Sequence, residues 1–355
     1  MTALVVDDLL KQMMERKGSD LHLIAGDPPR VRQYGDLHTL EPTRLKPDVL
    51  KDALYAIMPA RAKQRYEAEE GADFAHAIPG VARFRVNILR HIGGIGAVFR
   101  AIPSQALTIE QLALPDVVRM LCREKQGLVL VTGKTGSGKS TTLAAMIDAI
   151  NAEMKGHIIT IEDPIEFTHE RKQCLISQRE VGVHTATFAH ALHSALREDP
   201  DVVLVGEMRD YETMSIAVTA AETGIMVMGT LHTNGAASTV DRVVNTFPAD
   251  KQPHIRSMLS TSLRGVISQQ LVKRATIPGR VAALEILVNT PAVANLIRQG
   301  KLDQLENVMQ SGLSMGMQTM DGALKKLVEQ RTITGRDAYE KAFNKAQFSQ
   351  FAQAS

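Results

Sequence analysis

The run Gly133-Lys134-Thr135-Gly136-Ser137-Gly138-Lys139-Ser140, with Thr141 behind it, puts glycines, hydroxyls and an amine at the spacing G-x-x-x-x-G-K-[ST]. Glycines let backbone N–H groups turn inward around phosphates, and the helix that follows adds the positive end of its dipole. Lys139 is then placed for the β- and γ-phosphates and Ser140 for Mg²⁺. The chemistry implied is the binding of ATP with Mg²⁺ by Gly133, Thr135, Gly136, Ser137, Gly138, Lys139, Ser140 and Thr141. By itself this loop says only that the chain binds a nucleoside triphosphate.

Hydrolysis also needs groups that position a water and stabilise charge as it develops on the phosphoryl group. Acids stand at the ends of apolar runs elsewhere. His157-Ile158-Ile159-Thr160-Ile161 ends in Glu162-Asp163-Pro164-Ile165-Glu166, and Asp201 to Val205 ends in Gly206-Glu207. In an open sheet these are the carboxyl-edge positions where a nucleotide binds. Each acid alone could equally be a solvated loop charge or a helix cap. His232 follows the apolar run Met226 to Leu231 and reads either as a structural histidine or as a sensor of the γ-phosphate. His190 and His193, one helical turn apart, read as a solvent-facing side of a helix and not as a metal pair.

A cationic pair lies earlier in the chain. Phe84, Val86 and Ile88 alternate with Arg83, Arg85 and Asn87, and a second apolar run, Ile95 to Ile102, follows the break at Gly93-Gly94. A turn centred near Ile92 and Gly93 sets Arg85 roughly opposite Arg100 in a hairpin. Two guanidinium groups so placed need an anion beside them.

The elements that must carry these groups follow from periodicity. Val6, Leu9, Leu10 and Met13 predict a helix, then a turn at Gly18 and a strand around Leu21 and Leu23. Mixed short strands and helices continue to Pro79, with turns at Asp27-Pro28-Pro29, Gly35-Asp36 and Pro79-Gly80, as in a small α+β domain. Pro103 to Pro115 reads as a linker with a short helix. Beyond it strands and helices alternate: 128–132, 139–152, 157–162, 188–197, 201–205, 211–221 and 226–231. That alternation predicts a largely parallel sheet covered by helices. The last hundred or so residues read as mainly helical, with one strand at Val281 to Val288. The expected domains are 1–105 and 106–355, the second ending in a helical subregion from about residue 290.

With 44% apolar and 23% charged residues over 355 positions, the chain has the composition of a folded protein of about two domains. A net charge of +2, with Lys and Arg spread along the chain, gives no nucleic-acid footprint. Cys122 and Cys174, far apart and alone, suggest neither a disulfide framework nor a zinc site, and they fit a reducing compartment. Asp7, Asp8 and Lys11 interrupt any apolar signal region, and the uncharged stretch Thr223 to Val240 is broken by glycines, His232 and Asn234, so no membrane span is expected.

Taken together, these residues resemble the secretion-ATPase superfamily and, within it, the PilT-type retraction ATPases of type IV pili. The resemblance runs over nearly the whole chain. It rests on Gly18-Ser19-Asp20-Leu21-His22-Leu23, the phosphate loop, an "Asp box" around Ile161 to Glu166, Ser177-Gln178-Arg179-Glu180-Val181-Gly182, a Walker B segment from Asp199 to Asp210, and a "His box" ending at Thr230-Leu231-His232-Thr233-Asn234. It implies a cytoplasmic hexamer, peripheral at the inner face of the cytoplasmic membrane, with a PAS-like N-terminal domain and a RecA-like C-terminal domain that bind ATP between them. Arg85 and Arg100 would reach the nucleotide from the N-terminal domain, and Glu207 would be the Walker B acid acting on Mg²⁺ and water. Either Glu162 or Glu166 would be the general base. Implied partners are an inner-membrane pilus platform protein and related pilus ATPases.

The chain departs from the usual family pattern in three places: Lys134 where Pro is usual, Ile225 where a first His-box histidine is usual, and Ala292-Val293-Ala294-Asn295-Leu296-Ile297-Arg298-Gln299 in place of Ala-Ile-Arg-Asn-Leu-Ile-Arg-Glu. The expectation is an ATP-driven motor of pilus disassembly. Its rivals are an accessory or divergent paralogue, a pilus-assembly or type II secretion ATPase, and a low-turnover regulatory ring.

Overall fold

The structure, a computed structural model, describes residues 4–33, 36–69, 71–102 and 106–351. The expected turn at Gly35, the start of the linker at Pro103 and the expected domain boundary at residue 105 lie outside the described residues. The chain divides into two compact units, Met1–Ser104 and Gln105–Ser355.

The first unit runs α1 (Val6–Glu15), β1 (Asp20–Ile24), β2 (Arg30–Gln33), β3 (Asp36–Thr39), α2 (Pro47–Ile57), α3 (Ala60–Glu69), β4 (Gly71–Ile78), β5 (Ala82–His91) and β6 (Gly94–Ile102). Its strands form a six-stranded sheet in the order β3-β2-β1-β6-β5-β4, every pair antiparallel. Alternation decides which face is dry. Phe84, Val86, Ile88, Ala97 and Phe99 point into a core closed by Leu9, Leu10 and Met13 of α1 and Leu50 and Leu54 of α2.

The register sets a row of charge across the sheet. Arg32 faces Asp20, Asp20 faces Arg100, and Arg100 faces Arg85. Asp20 is an anion for one of the two arginines: its Oδ1 accepts from Arg100 Nε at 2.7 Å, and its side chain is only 6% exposed against 70% for the arginine.

The second unit continues with α4 (Asp116–Cys122), β7 (Gly127–Thr132), α5 (Lys139–Glu153), β8 (His157–Glu162), β9 (Leu175–Glu180), α6 (Phe188–Ala195), β10 (Val202–Val205), α7 (Tyr211–Glu222), β11 (Met226–Leu231), α8 (Ala236–Asn245), α9 (Gln252–Ser262), β12 (Leu263–Lys273), β13 (Arg280–Val288), α10 (Pro291–Gln299), α11 (Leu305–Ser311), α12 (Met320–Glu329) and α13 (Gly335–Lys341). Seven strands lie in the order β13-β12-β7-β11-β10-β8-β9, parallel except for β13. Strands β7, β10 and β11 are buried along their whole length, as strands covered on both faces must be.

Three expectations need correction. Between Ala106 and Pro115 there is no helix, only turns, closed by Ala113 in the left-handed region and followed by Pro115. The polar strand β9 is not among the elements that alternation predicts, and β12 crosses a segment that reads as helical. Ser268, Gln269 and Gln270 interrupt the apolar run of β12, although Ser268 and Gln269 are buried.

One buried acid ties the C-terminal helices to the sheet. Glu285 of β13 accepts from the Ala236 N–H, the first of α8, at 2.6 Å on Oε1 and from the Met320 N–H, the first of α12, at 3.2 Å on Oε2. Burial pushes this carboxyl up, against the pull of the two N–H donors. Each donor would otherwise be an orphan at a helix start.

Burial likewise pushes the Asp20 carboxyl up, but hydrogen bonds from the Ser19 hydroxyl and the Arg100 guanidinium outweigh it and hold the group below its ordinary 3.8. A carboxyl with a depressed folded value adds stability above its unfolded value and loses it as pH falls through the folded one. The stability gap between wild type and Asp20→Asn should therefore be full at neutral pH and close as the pH drops below 3.8. Denaturant unfolding across that range measures it, and a gap that does not change with pH would contradict the assignment.

Candidate active site

The parallel register brings the carboxyl ends of four strands into line. Thr132 of β7 pairs with Leu231 of β11, while Val205 of β10 pairs with Gly229 of β11 and with Ile161 of β8. The phosphate loop, His232, Glu207 and Glu162 each leave the sheet from one of these ends, so they share one edge.

The loop closes on a buried amine. Lys139 opens α5, is buried, and donates from Nζ to the carbonyls of Gly133 at 2.8 Å and Lys134 at 3.2 Å. Burial pulls the ammonium below its ordinary range, while the negative charges of Glu207 and Glu166 push it back up. The position of Lys134 thus supplies a backbone carbonyl, which a proline there would supply equally well.

Two turns of the phosphate loop are made against β12. Gly133 has φ 139°, and a Cβ there would stand 2.4 Å from the Gln269 carbonyl; a Cβ on Gly138, at φ 90°, would meet Gln269 Nε2 at 2.7 Å. Only glycine leaves room for that approach. Gln269 Oε1 also accepts from the Thr142 hydroxyl at 2.7 Å, so a buried strand residue braces loop and helix together.

Ser137 Oγ is buried with no hydrogen-bond partner, an unmet polar atom inside the cradle. Gly136, Lys134 and Thr135 are exposed, and Ser140 and Thr141 are half-buried at the start of α5. An orphaned hydroxyl, a helix start and a buried cation are what a phosphate would satisfy, so these residues fit the nucleotide. Among the described residues no three His, Cys, Asp or Glu side chains gather as a metal site. His190 and His193 are exposed on α6.

Glu207 is mostly covered and its Oε1 serves two partners. It accepts from Arg209 Nε and lies 3.0 Å from His232 Nε2, whose side chain is 43% exposed. Met208 N and Gly206 O bond to Thr230, which keeps the ends of β10 and β11 together and brings acid and histidine into contact.

The two Asp-box acids differ in surroundings. Glu162 is turned inward: its Oε1 accepts from the Thr160 hydroxyl at 2.7 Å and Gln178 Nε2 at 3.3 Å, and its Oε2 from the Glu166 N–H at 3.3 Å. Burial raises its carboxyl above the ordinary range despite these donors. Glu166 is exposed, and its charge reaches Lys139. Arg85 and Arg100 lie side by side in the first unit, both exposed.

The remaining departures lie off this edge. Ile225 precedes β11 at the opposite end from His232, where its carbonyl accepts from the Gly127 N–H at 3.1 Å. Ala294 sits on α10, which buries Val293 and Ile297. A groove of about 730 Å³, lined in part by Met120, Leu313, Met315 and Lys326, contains none of the residues above. Motif spacing points to the loop, the acids and His232; Gln269 and Thr142 lie in no motif, while Asp20 and Arg209 lie inside the N-terminal signature and the Walker B segment without a role of their own there.

Comparison with known proteins gives this edge a context. The family model described as type II/IV secretion system protein matches residues 1–339. The type IV pilus retraction ATPase PilT of Pseudomonas aeruginosa is 52% identical over 95% of this chain and 98% of its own length. A twitching motility protein of Neisseria gonorrhoeae is 50% identical over 92% of this chain and 87% of its own. A crystal structure of the pilus retraction motor PilT with bound ADP superposes with a TM-score of 0.92 at 44% identity, covering 98% of this chain and 99% of that one. With its phosphate loop, strand-end acids and near full-length match, the chain belongs to the type II/IV secretion system protein family and, within it, to the PilT-type pilus retraction ATPases.

Proposed function

We propose that this protein hydrolyses ATP to drive the retraction of type IV pili, and with it twitching motility. The observation that carries the reading is the convergence of the phosphate loop with its buried Lys139, Glu207, His232 and Glu162 on the carboxyl edge of one parallel sheet. The 52% identity to a pilus retraction ATPase over nearly the full length of both chains supports the coupling of that chemistry to pili.

In this reading the loop 133–141 holds the triphosphate, with Ser137 Oγ and the Lys139 ammonium turned to its oxygens. Mg²⁺, when bound, would be held by Ser140 and Glu207 and would supply charge neutralisation between the phosphates. Glu166 is the better base of the two acids. It is exposed where the nucleotide's end would lie, whereas the oxygens of Glu162 are engaged by Thr160, Gln178 and the Glu166 N–H. Glu166 then takes the proton of the attacking water, and His232, bonded to Glu207, senses whether the γ-phosphate is present.

On this reading the first unit is PAS-like and the second RecA-like, and Arg85 and Arg100 are the guanidinium groups that act on the transferring phosphoryl group. Their register places two guanidinium groups together and the buried Asp20 holds one of them by Nε. On the same reading six copies form a ring, peripheral at the cytoplasmic face of the inner membrane, which acts on a pilus platform protein alongside related pilus ATPases. Among the described residues no helix is long and apolar enough to cross a membrane.

Lys139→Ala should abolish phosphate release and weaken binding of a fluorescent ATP analogue. Glu166→Gln should bind the analogue as wild type does and lose turnover; full turnover would remove Glu166 from the role of base. Arginines on a transferring phosphoryl group contribute about 10³- to 10⁵-fold in rate. Arg85→Ala should lose a large part of that at the wild-type melting temperature, Arg100→Ala should lose it together with the stability that the buried Asp20 draws from the pair, and near-normal activity in both would reject their assignment.

A further inference from the structure

The segment Ser177 to Gly182 is a motif to which hydrolysis, as described above, assigns nothing. Most of it is β9, paired in parallel with β8 so that Gln178 lies beside Thr160 and Glu180 beside Glu162. Gln178 and Glu180, two apart on a strand, face the same side. That side is the loop carrying Glu166.

The bonds fall on consecutive residues. The Glu180 carboxylate, Oε2, accepts from the Ile165 N–H at 3.2 Å, and Glu180 itself is buried. Glu162 Oε2 accepts from the Glu166 N–H at 3.3 Å. Gln178 Nε2 donates to the Phe167 carbonyl at 2.8 Å and to Glu162 Oε1 at 3.3 Å, and Gln178 Oε1 accepts from the His169 N–H at 2.9 Å. Residues 165, 166 and 167 are thus each held by a side chain from β8 or β9. The apolar neighbours are pinned as well, since Ile165 and Phe167 are buried on either side of the exposed Glu166.

We propose that Gln178, together with Glu180 and Glu162, is a positioning residue that clamps the loop backbone so that the Glu166 carboxylate is held at the reacting water. The inference rests on the reading of Glu166 as the base. A glutamine is suited to the central place because one side chain must both donate, to a carbonyl and a carboxylate, and accept, from an N–H. A glutamate there could not donate, and a methionine could do neither at similar length. A base moved by about 1 Å from its working position costs on the order of 10²-fold in rate without changing affinity for the ground state.

The test is the steady-state kinetics of the full chain carrying Gln178→Met or Gln178→Glu, with melting temperature and binding of a fluorescent ADP analogue as controls. Both variants should lower kcat by about 10- to 100-fold while KM for ATP and analogue binding stay within about twofold of wild type, because the phosphate loop does not touch Gln178. In a Glu166→Gln background, Gln178→Met should cause no further loss of kcat, which a general loosening of the domain would not produce. If Glu166→Gln turns over normally, the base assignment fails. If Glu166→Gln is inactive but both Gln178 variants keep wild-type kcat, or lose kcat and nucleotide binding together, the clamp is rejected.

Discussion

A buried ammonium at the start of a helix is the constraint around which the second unit is arranged. Lys139 cannot lie there without acceptors, and the carbonyls of Gly133 and Lys134 supply them by folding the loop back over it. That fold forces positive φ at Gly133 and Gly138, and both close on Gln269 of the neighbouring strand. The acids that oppose the cation come from strand ends, because a parallel ladder delivers every carboxyl end to the same edge. A site assembled this way is buried at Lys139 and open where Glu166 and His232 stand exposed.

The two units place charge by different means. In the first, an antiparallel register sets Arg32, Asp20, Arg100 and Arg85 in one row across four strands, so cations are spaced by the sheet itself. In the second, loops at strand ends hold the acids, and their positions depend on side chains that reach from adjacent strands. An arginine anchored through Nε to a buried carboxylate keeps its direction and its exposure together, as the role proposed for Arg100 requires. Part of the N-terminal signature gains a physical purpose from the Ser19-Asp20 pair, whose hydroxyl and carboxylate end in that anchor.

Much of this could be read from the chain, and what could not has a common cause. Buried parallel strands such as Val202–Val205 and Met226–Leu231 announce themselves by unbroken apolar runs, and the phosphate loop by its spacing. Strand β12 hides because Ser268 and Gln269 interrupt its apolar pattern, yet these are the residues that bond to the Gly235 N–H and the Thr142 hydroxyl. Strand β9 hides for the same reason, its Gln178 and Glu180 being turned to the Glu166 loop. Polar side chains that serve the site are what erase the periodicity of the elements bearing them. Of the two Asp-box acids, spacing could not separate the roles, since the difference lies in which one the neighbouring strand engages.

Glu285 sets a limit on how the catalytic end can deform. Its two oxygens are shared between the first N–H of α8, just beyond His232, and the first N–H of α12 in the C-terminal layer. Pulling either helix away strands a backbone donor in an apolar interior, at a cost of about 1–3 kcal/mol. The turn that follows His232 and the C-terminal layer are therefore fastened to β13 by one shared carboxylate, which opposes their separation.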